Sequence, residues 1–211
     1  LGHLVQFLNY RSVLFLIAQQ LGDAEAGRYS NALVIADAVW IYGNSLGSVA
    51  HMKMVLDGRP AKAAAWLRRY TSLSFWGTLP AVLVLAVLPD AVFTSLFGDD
   101  FAGFAANLKP LLPAILALSG STVPSHFLHA RGAFRTLLLL NASGWLLQIG
   151  LAWLLLPVYG LAGAAWAASA GFVGILCVQL LLLRFRYGMA WRNLLPGSAF
   201  ALAVLKKLLP K

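Results

Sequence analysis

The chain has 211 residues, of which 60% are hydrophobic and only 11% charged, and its mean hydropathy is +0.78. A soluble domain of this size carries about 25% charged residues, so the composition excludes an ordinary soluble enzyme and points to an all-α, polytopic membrane bundle. The net charge of +9 is split among short segments with no basic groove motif, which excludes a nucleic-acid footprint.

A helix needs about 20 mostly apolar residues to cross the hydrocarbon. Six stretches meet that requirement, at roughly 2–20, 31–50, 71–89, 108–127, 136–156 and 160–183. The first is the most polar. His3, Gln6, Asn9 and Tyr10 recur at helical spacing and form one broad stripe, with Arg11 pointing away from it. Such a span inserts poorly alone. The chain also opens Leu-Gly-His, with no Met and no cleavable signal pattern, so it reads as the C-terminal part of a longer protein.

The second span places Asp37, Asn44 and Ser48 on one face at i, i+7 and i+11. Arg11 and Asp37 fall at similar depths, about 14 and 9 Å from the end that the first two spans share, at 1.5 Å per residue. Intramembrane charges are costly and mark pathways or ion pairs. The two residues therefore fit either a structural pair or charges lining a cavity.

The third span is nearly featureless and is expected to face lipid. The fourth ends in Ser-His-Phe-Leu-His-Ala-Arg-Gly. His126 and His129 have a metal-compatible spacing, but no Cys or carboxylate lies nearby in sequence, so they read as interfacial and no metal is expected. On the fifth span Asn141 and Gln148 share a face, fitting either helix–helix hydrogen bonding or a cavity wall. On the sixth, Gly160, Ala164 and Ala168, with Gly163, Ala167 and Gly171, form a small-residue ridge for close helix packing. Cys177 is the single cysteine, so no disulfide forms within the chain. Segment 193–205 is apolar but short and reads as an interfacial helix in a basic tail, 185–211, after a lobe covering 1–184.

Thirteen of the sixteen Lys and Arg residues fall in gap 51–70, gap 128–135 and the tail from Arg184 onward. By the positive-inside rule these face the cytoplasm, while 21–30, 90–107 and 157–159 face out. The C-terminus is then cytoplasmic, and the basic charge also suits anionic membrane lipids. No P-loop, nucleophile elbow or zinc motif is present, and no cofactor is expected.

Several stretches resemble the C-terminal half of the Wzx-type polysaccharide (O-antigen) flippases of the MOP exporter superfamily. They are FLNYRSVLFLIA at Phe7–Ala18, EAGRYSNAL at Glu25–Leu33, LFGDDF at Leu96–Phe101, and LPVYGLAGAA at Leu156–Ala165. Many members carry Asp after the Asn-Tyr-Arg stretch; here Ser12-Val13 stands instead. The resemblance implies one six-helix lobe of a two-lobe transporter in the bacterial inner membrane, with an N-terminal lobe as its partner. It implies transport of undecaprenyl-diphosphate-linked oligosaccharide for surface polysaccharide or lipopolysaccharide biosynthesis, with no enzyme activity. Arg11 would then meet pyrophosphate. Gln6, Asn9, Tyr10, Asn44 and Ser48 would meet sugar hydroxyls, and Asp37, Asn141 and Gln148 complete the cavity candidates. A multidrug cation antiporter of the same superfamily is the close alternative. An oligosaccharide polymerase or ligase is a remote one, since 90–107 offers few catalytic groups.

Overall fold

A computed structural model describes residues 2–57, 60–98, 101–194 and 197, with side-chain detail beyond 2–7, 9, 10, 60, 61 and 193. Every regular element among them is helical. The order is α1 (Gly2–Leu21), α2 (Asp23–Asp57), α3 (Pro60–Val87), α4 (Asp90–Phe97), α5 (Phe104–Leu108), a 3-10 turn (Lys109–Leu111), α6 (Leu112–Ala130), α7 (Phe134–Arg186) and α8 (Trp191–Leu194).

Four stretches are long and apolar enough to cross a membrane: Asp23–Asp57, Lys62–Val87, Phe104–Ala130 and Phe134–Arg186. The last stretch provides two passes. Its helical geometry breaks at Gly160, at φ 57° and ψ −140°, three residues after Pro157. That backbone favours a residue without a Cβ. Beyond it the chain folds back: Gly163 lies against Leu155, Gly171 against Gln148, and Gly144 against Ile175. These pairings are antiparallel, so α7 is a helical hairpin. The expected loop at 157–159 is thus the end of a helix, with the reversal at Gly160.

The other gaps are shorter than the sequence suggests. Gly22, at φ 93°, alone separates α1 from α2, and 23–30 are helical. α2 has 35 residues, about 52 Å at 1.5 Å each, so it overruns a hydrocarbon layer of about 30 Å at its ends. Segment 90–107 holds two short helices rather than an open loop. Asp90 Oδ1 accepts from the Ala105 amide at 2.7 Å, and the tilted rings of Phe93 and Phe104, with centroids 5.0 Å apart, are part of the core. Most of segment 193–205 lies outside the described residues.

α6 is the centre of the lobe, packed by α2, α3 and α7. It runs parallel to the second arm of α7: the Ala114 amide donates to Ser169 Oγ (3.2 Å), and further along Gln179 meets Ser125 Oγ (2.9 Å). The buried residues form two clusters. One holds Val13, Ile17, Ala32, Phe93, Ile115 and Ala164. The other holds Met54, Leu67, Phe127, Leu137, Leu183 and Leu194. The second gathers the end of α2, the start of α3, the end of α6, both termini of α7, and α8. The segments bearing Lys53, Lys62, Arg68, Arg69, Arg131, Arg135, Arg184, Arg186 and Arg192 therefore meet at one end of the bundle.

The third span leaves most of its length open, as expected of a lipid-facing helix, with Leu83, Val84 and Val87 exposed. It is not featureless, however: Thr71, Ser74 and Thr78 are buried on one face at i, i+3 and i+7, and Ser74 Oγ donates to the Ser119 carbonyl of α6 at 2.7 Å.

Candidate functional site

The polar residues expected to act together divide into three environments. Arg11 lies on the exposed side of α1, and Asp37 is half-buried on α2. No carboxylate lies within ion-pair distance of Arg11 among the described residues. The direct ion pair with Asp37 is therefore not formed.

Asp37 and Gln148 do come together. They line one small cavity, about 20 Å³, with Leu33, Ala36, Ala114, Ile115, Leu118, Ala168 and Phe172. That is room for about one water molecule. Gln148 is only 3% exposed, and its Oε1 is buried without a hydrogen-bond partner. Two oxygen groups from α2 and the first arm of α7 thus share an otherwise apolar pocket, which suits a water molecule or small cation between them. Gln148 reaches it because Gly171 across the hairpin lets the arms approach: a Cβ at 171 would stand 2.9 Å from Gln148 Cβ.

Asn44 and Ser48 lie two and three turns further along α2, exposed and outside that cavity. Ser48 Oγ donates to the Asn44 carbonyl at 3.1 Å, and Ser45 Oγ to the Ile41 carbonyl at 2.9 Å. Asn44, Ser45 and Ser48 leave a polar strip on the open side of α2, whereas Tyr42 turns toward α3, its hydroxyl 3.4 Å from the Leu73 carbonyl. Asn141 is half-buried and donates to the Leu137 carbonyl at 2.9 Å. It shares a helix face with Gln148 but not the cavity. The side chains of Gln6, Asn9 and Tyr10 lie outside the described residues.

Ser12 has a packing role. Its hydroxyl donates to the Leu8 carbonyl and accepts from Trp145 Nε1 at 2.8 Å, joining α1 to α7.

Three features escaped the sequence reading. The hydroxyl stripe of α3 was legible as i, i+3, i+7 spacing. Gln179, fully buried, sits 2.9 Å from Ser125 Oγ, and its Nε2 can face the Ser121 carbonyl at 3.2 Å. The third is a histidine group. His51 on α2 joins His126 and His129: the ring centroids are 5.6 Å apart for 51 and 126, and 6.2 Å for 126 and 129. Gly47 makes room for it, since a Cβ there would stand 2.5 Å from His126 Cδ2. No group of three or more metal-ligating side chains exists among the described residues.

At the same end, Trp66 Nε1 donates to Asp57 Oδ2 at 2.6 Å, and Lys62 Nζ lies 3.4 Å from Asp57 Oδ1. The Trp66 bond, more than Lys62, holds the Asp57 carboxyl below its usual range against partial desolvation.

No family model matches the chain, and no characterised protein matches it in sequence. Solved structures do match its fold. A MOP superfamily transporter from Pyrococcus furiosus Vc1, whose binding pocket of reversed polarity suggests a different function, aligns with 93% of this chain at a TM-score of 0.75 and 19% identity. An outward-facing multidrug resistance MATE family transporter of the MOP superfamily aligns with 93% of it at a TM-score of 0.69 and 18% identity. This chain covers 46% of each of those structures. The fold is therefore that of about half of a MOP superfamily transporter, in a multi-pass membrane protein.

Proposed function

We propose that the chain is one lobe of a two-lobe flippase that carries a polyprenyl-diphosphate-linked oligosaccharide from the cytoplasmic to the outer leaflet of the bacterial inner membrane. The observation that carries this reading is Arg11. It is an exposed cation on α1, without a carboxylate in ion-pair range among the described residues. A pyrophosphate cannot cross hydrocarbon unshielded, and Arg binds phosphate oxygens through a planar fork. The strip Asn44–Ser48 on α2 supplies hydrogen-bonding groups for a hydrated sugar, while the prenyl tail stays in lipid. A second lobe facing α1 and α2 would close the cavity, and rocking of the two lobes would alternate its access. The chain motifs at Phe7–Ala18 and Leu156–Ala165 support the same reading.

Asp37 favours a second reading, an organic-cation antiporter, because a half-buried carboxylate beside a small cavity suits a cationic cargo. The two readings part on Arg11. The full-length protein reconstituted in liposomes with labelled lipid-linked sugar should translocate it. Arg11→Lys should retain part of the rate, and Arg11→Glu should lower it roughly tenfold or more, the scale of one charge-assisted hydrogen bond. Translocation no faster than in empty liposomes, with proton-coupled efflux of organic cations that needs Asp37, would move the assignment to the antiporter.

A further inference from the structure

An open cleft of about 610 Å³ lies where the end of α2 meets the start of α3, lined by Lys53, Leu56, Asp57, Lys62, Trp66 and Arg69, among others. We propose that it binds the phosphate of an anionic phospholipid headgroup.

The charges are arranged for an anion. Asp57 is already occupied on both oxygens, by Trp66 Nε1 and Lys62 Nζ. Lys53 and Arg69 remain, and neither has a carboxylate in ion-pair range among the described residues. Both converge on Trp66: Lys53 Nζ and Arg69 Cζ each lie 5.8 Å from its ring centroid. Two like charges gathered on one ring repel, and a phosphate beside them relieves that repulsion. Among the described residues the cleft carries three cations against one acid.

The apolar part of the cleft selects a lipid over a free ion. Leu56 is 76% exposed, which suits a neighbour with a glycerol and acyl portion. An interfacial Trp beside Lys and Arg also marks the headgroup level of a bilayer. The cleft lies at the bundle end where the basic segments gather, the end placed at the anionic cytoplasmic leaflet by the positive-inside rule. Nothing in this site depends on what the lobe carries.

The test uses the full-length protein in neutral detergent and radiolabelled short-chain phosphatidylglycerol, with phosphatidylcholine of the same chains as control. Wild type should bind phosphatidylglycerol saturably and tighter than phosphatidylcholine. Lys53→Gln with Arg69→Gln should weaken it roughly 25-fold, at about one surface-cation contribution each. Arg69→Lys should keep most of the affinity. Arg135→Gln, an exposed cation outside the cleft, should leave it unchanged. Equal binding of the two lipids, no loss in the double variant, or equal loss in Arg135→Gln would overturn the proposal. Displacement by inorganic phosphate at similar concentration would make this a plain anion site. Binding of a prenyl diphosphate but not phosphatidylglycerol would make it a substrate entrance. Either result would also overturn the proposal. The wild-type lipid and phosphate comparisons decide the matter even where the double variant does not fold.

Discussion

Along α6, 72% of the most apolar window is buried, and Ser119, Ser121 and Thr122 all lie inside the bundle. Along α2 the corresponding share is 22%, and Asn44, Ser45 and Ser48 face outward. The two helices pack side by side and carry similar polar residues, yet one is a core and the other a wall. Local bonding of a hydroxyl to its own helix does not make the difference, because it occurs in both places, although Ser119 Oγ in α6 is buried with no partner among the described residues. Thr122 Oγ1 donates to the Leu118 carbonyl in α6 just as Ser48 Oγ donates to the Asn44 carbonyl in α2. The informative groups are those too long or too charged to do so. In the core region these are Gln179 and Gln148, each turned inward; in the wall region they are Arg11 and Asn44, each left open. A polar face in a membrane helix therefore signals a pathway only when its side chains cannot be served by their own backbone.

This contrast can be broken by substitution, with the largest effect in the α7 hairpin. Gly163→Leu should cost about 3 kcal/mol or more, because a Cβ there runs into the Leu155 backbone, which cannot move aside. Its unfolding midpoint in mixed detergent should collapse, while Gly150→Ala, with open space around it, should stay near wild type. A normal midpoint for Gly163→Leu would mean that the arms are not packed as described. Next, Gln179→Leu should cost about 1–3 kcal/mol by leaving Ser125 and the Ser121 carbonyl without a partner. A double change with Ser125→Ala should recover part of that loss; simple additivity of the two would show that they are not coupled. Smallest, Arg11→Ala and Asn44→Ala should each shift stability by no more than about 0.5 kcal/mol, as exposed positions do. A loss of folding comparable to Gln179→Leu at either position would erase the distinction between wall and core.

The all-helical bundle and its small-residue ridge were legible because apolar length and i+4 repetition are local signals. Gly163 and Gly171 of the ridge lie against the other arm, while Ser169, outside the ridge, meets α6. The helix ends were less legible. Asp23–Ser30 and His51–Asp57 are polar enough to read as loops, yet they extend α2 past the hydrocarbon, where water tolerates polar side chains on a helix. Of the cavity candidates, Asp37 and Gln148 were identified singly, but their meeting was not, since 111 positions separate them and only the packing of α2 against α7 joins them. His51 was invisible for the same reason: its partner His126 is 75 residues away, and the approach depends on Gly47. Ser12 and Trp145 show the reverse case, where a departure from a familiar motif is explained by a partner on another helix.

The hairpin at Gly160 has a consequence for the order of assembly. Chains emerge from the ribosome N-terminal end first, and α6 is made before the arm that supplies Ser169 and Gln179 to it. Until α7 is synthesised, the most central helix of the lobe has one flank bare. The two arms of α7 pair with residues close in sequence across a tight turn, so they can zip together quickly and dock as a unit. Closure around α6 thus waits for α7, and a ribosome stalled before Phe134 would hold a lobe whose keystone helix is in place but not yet clasped.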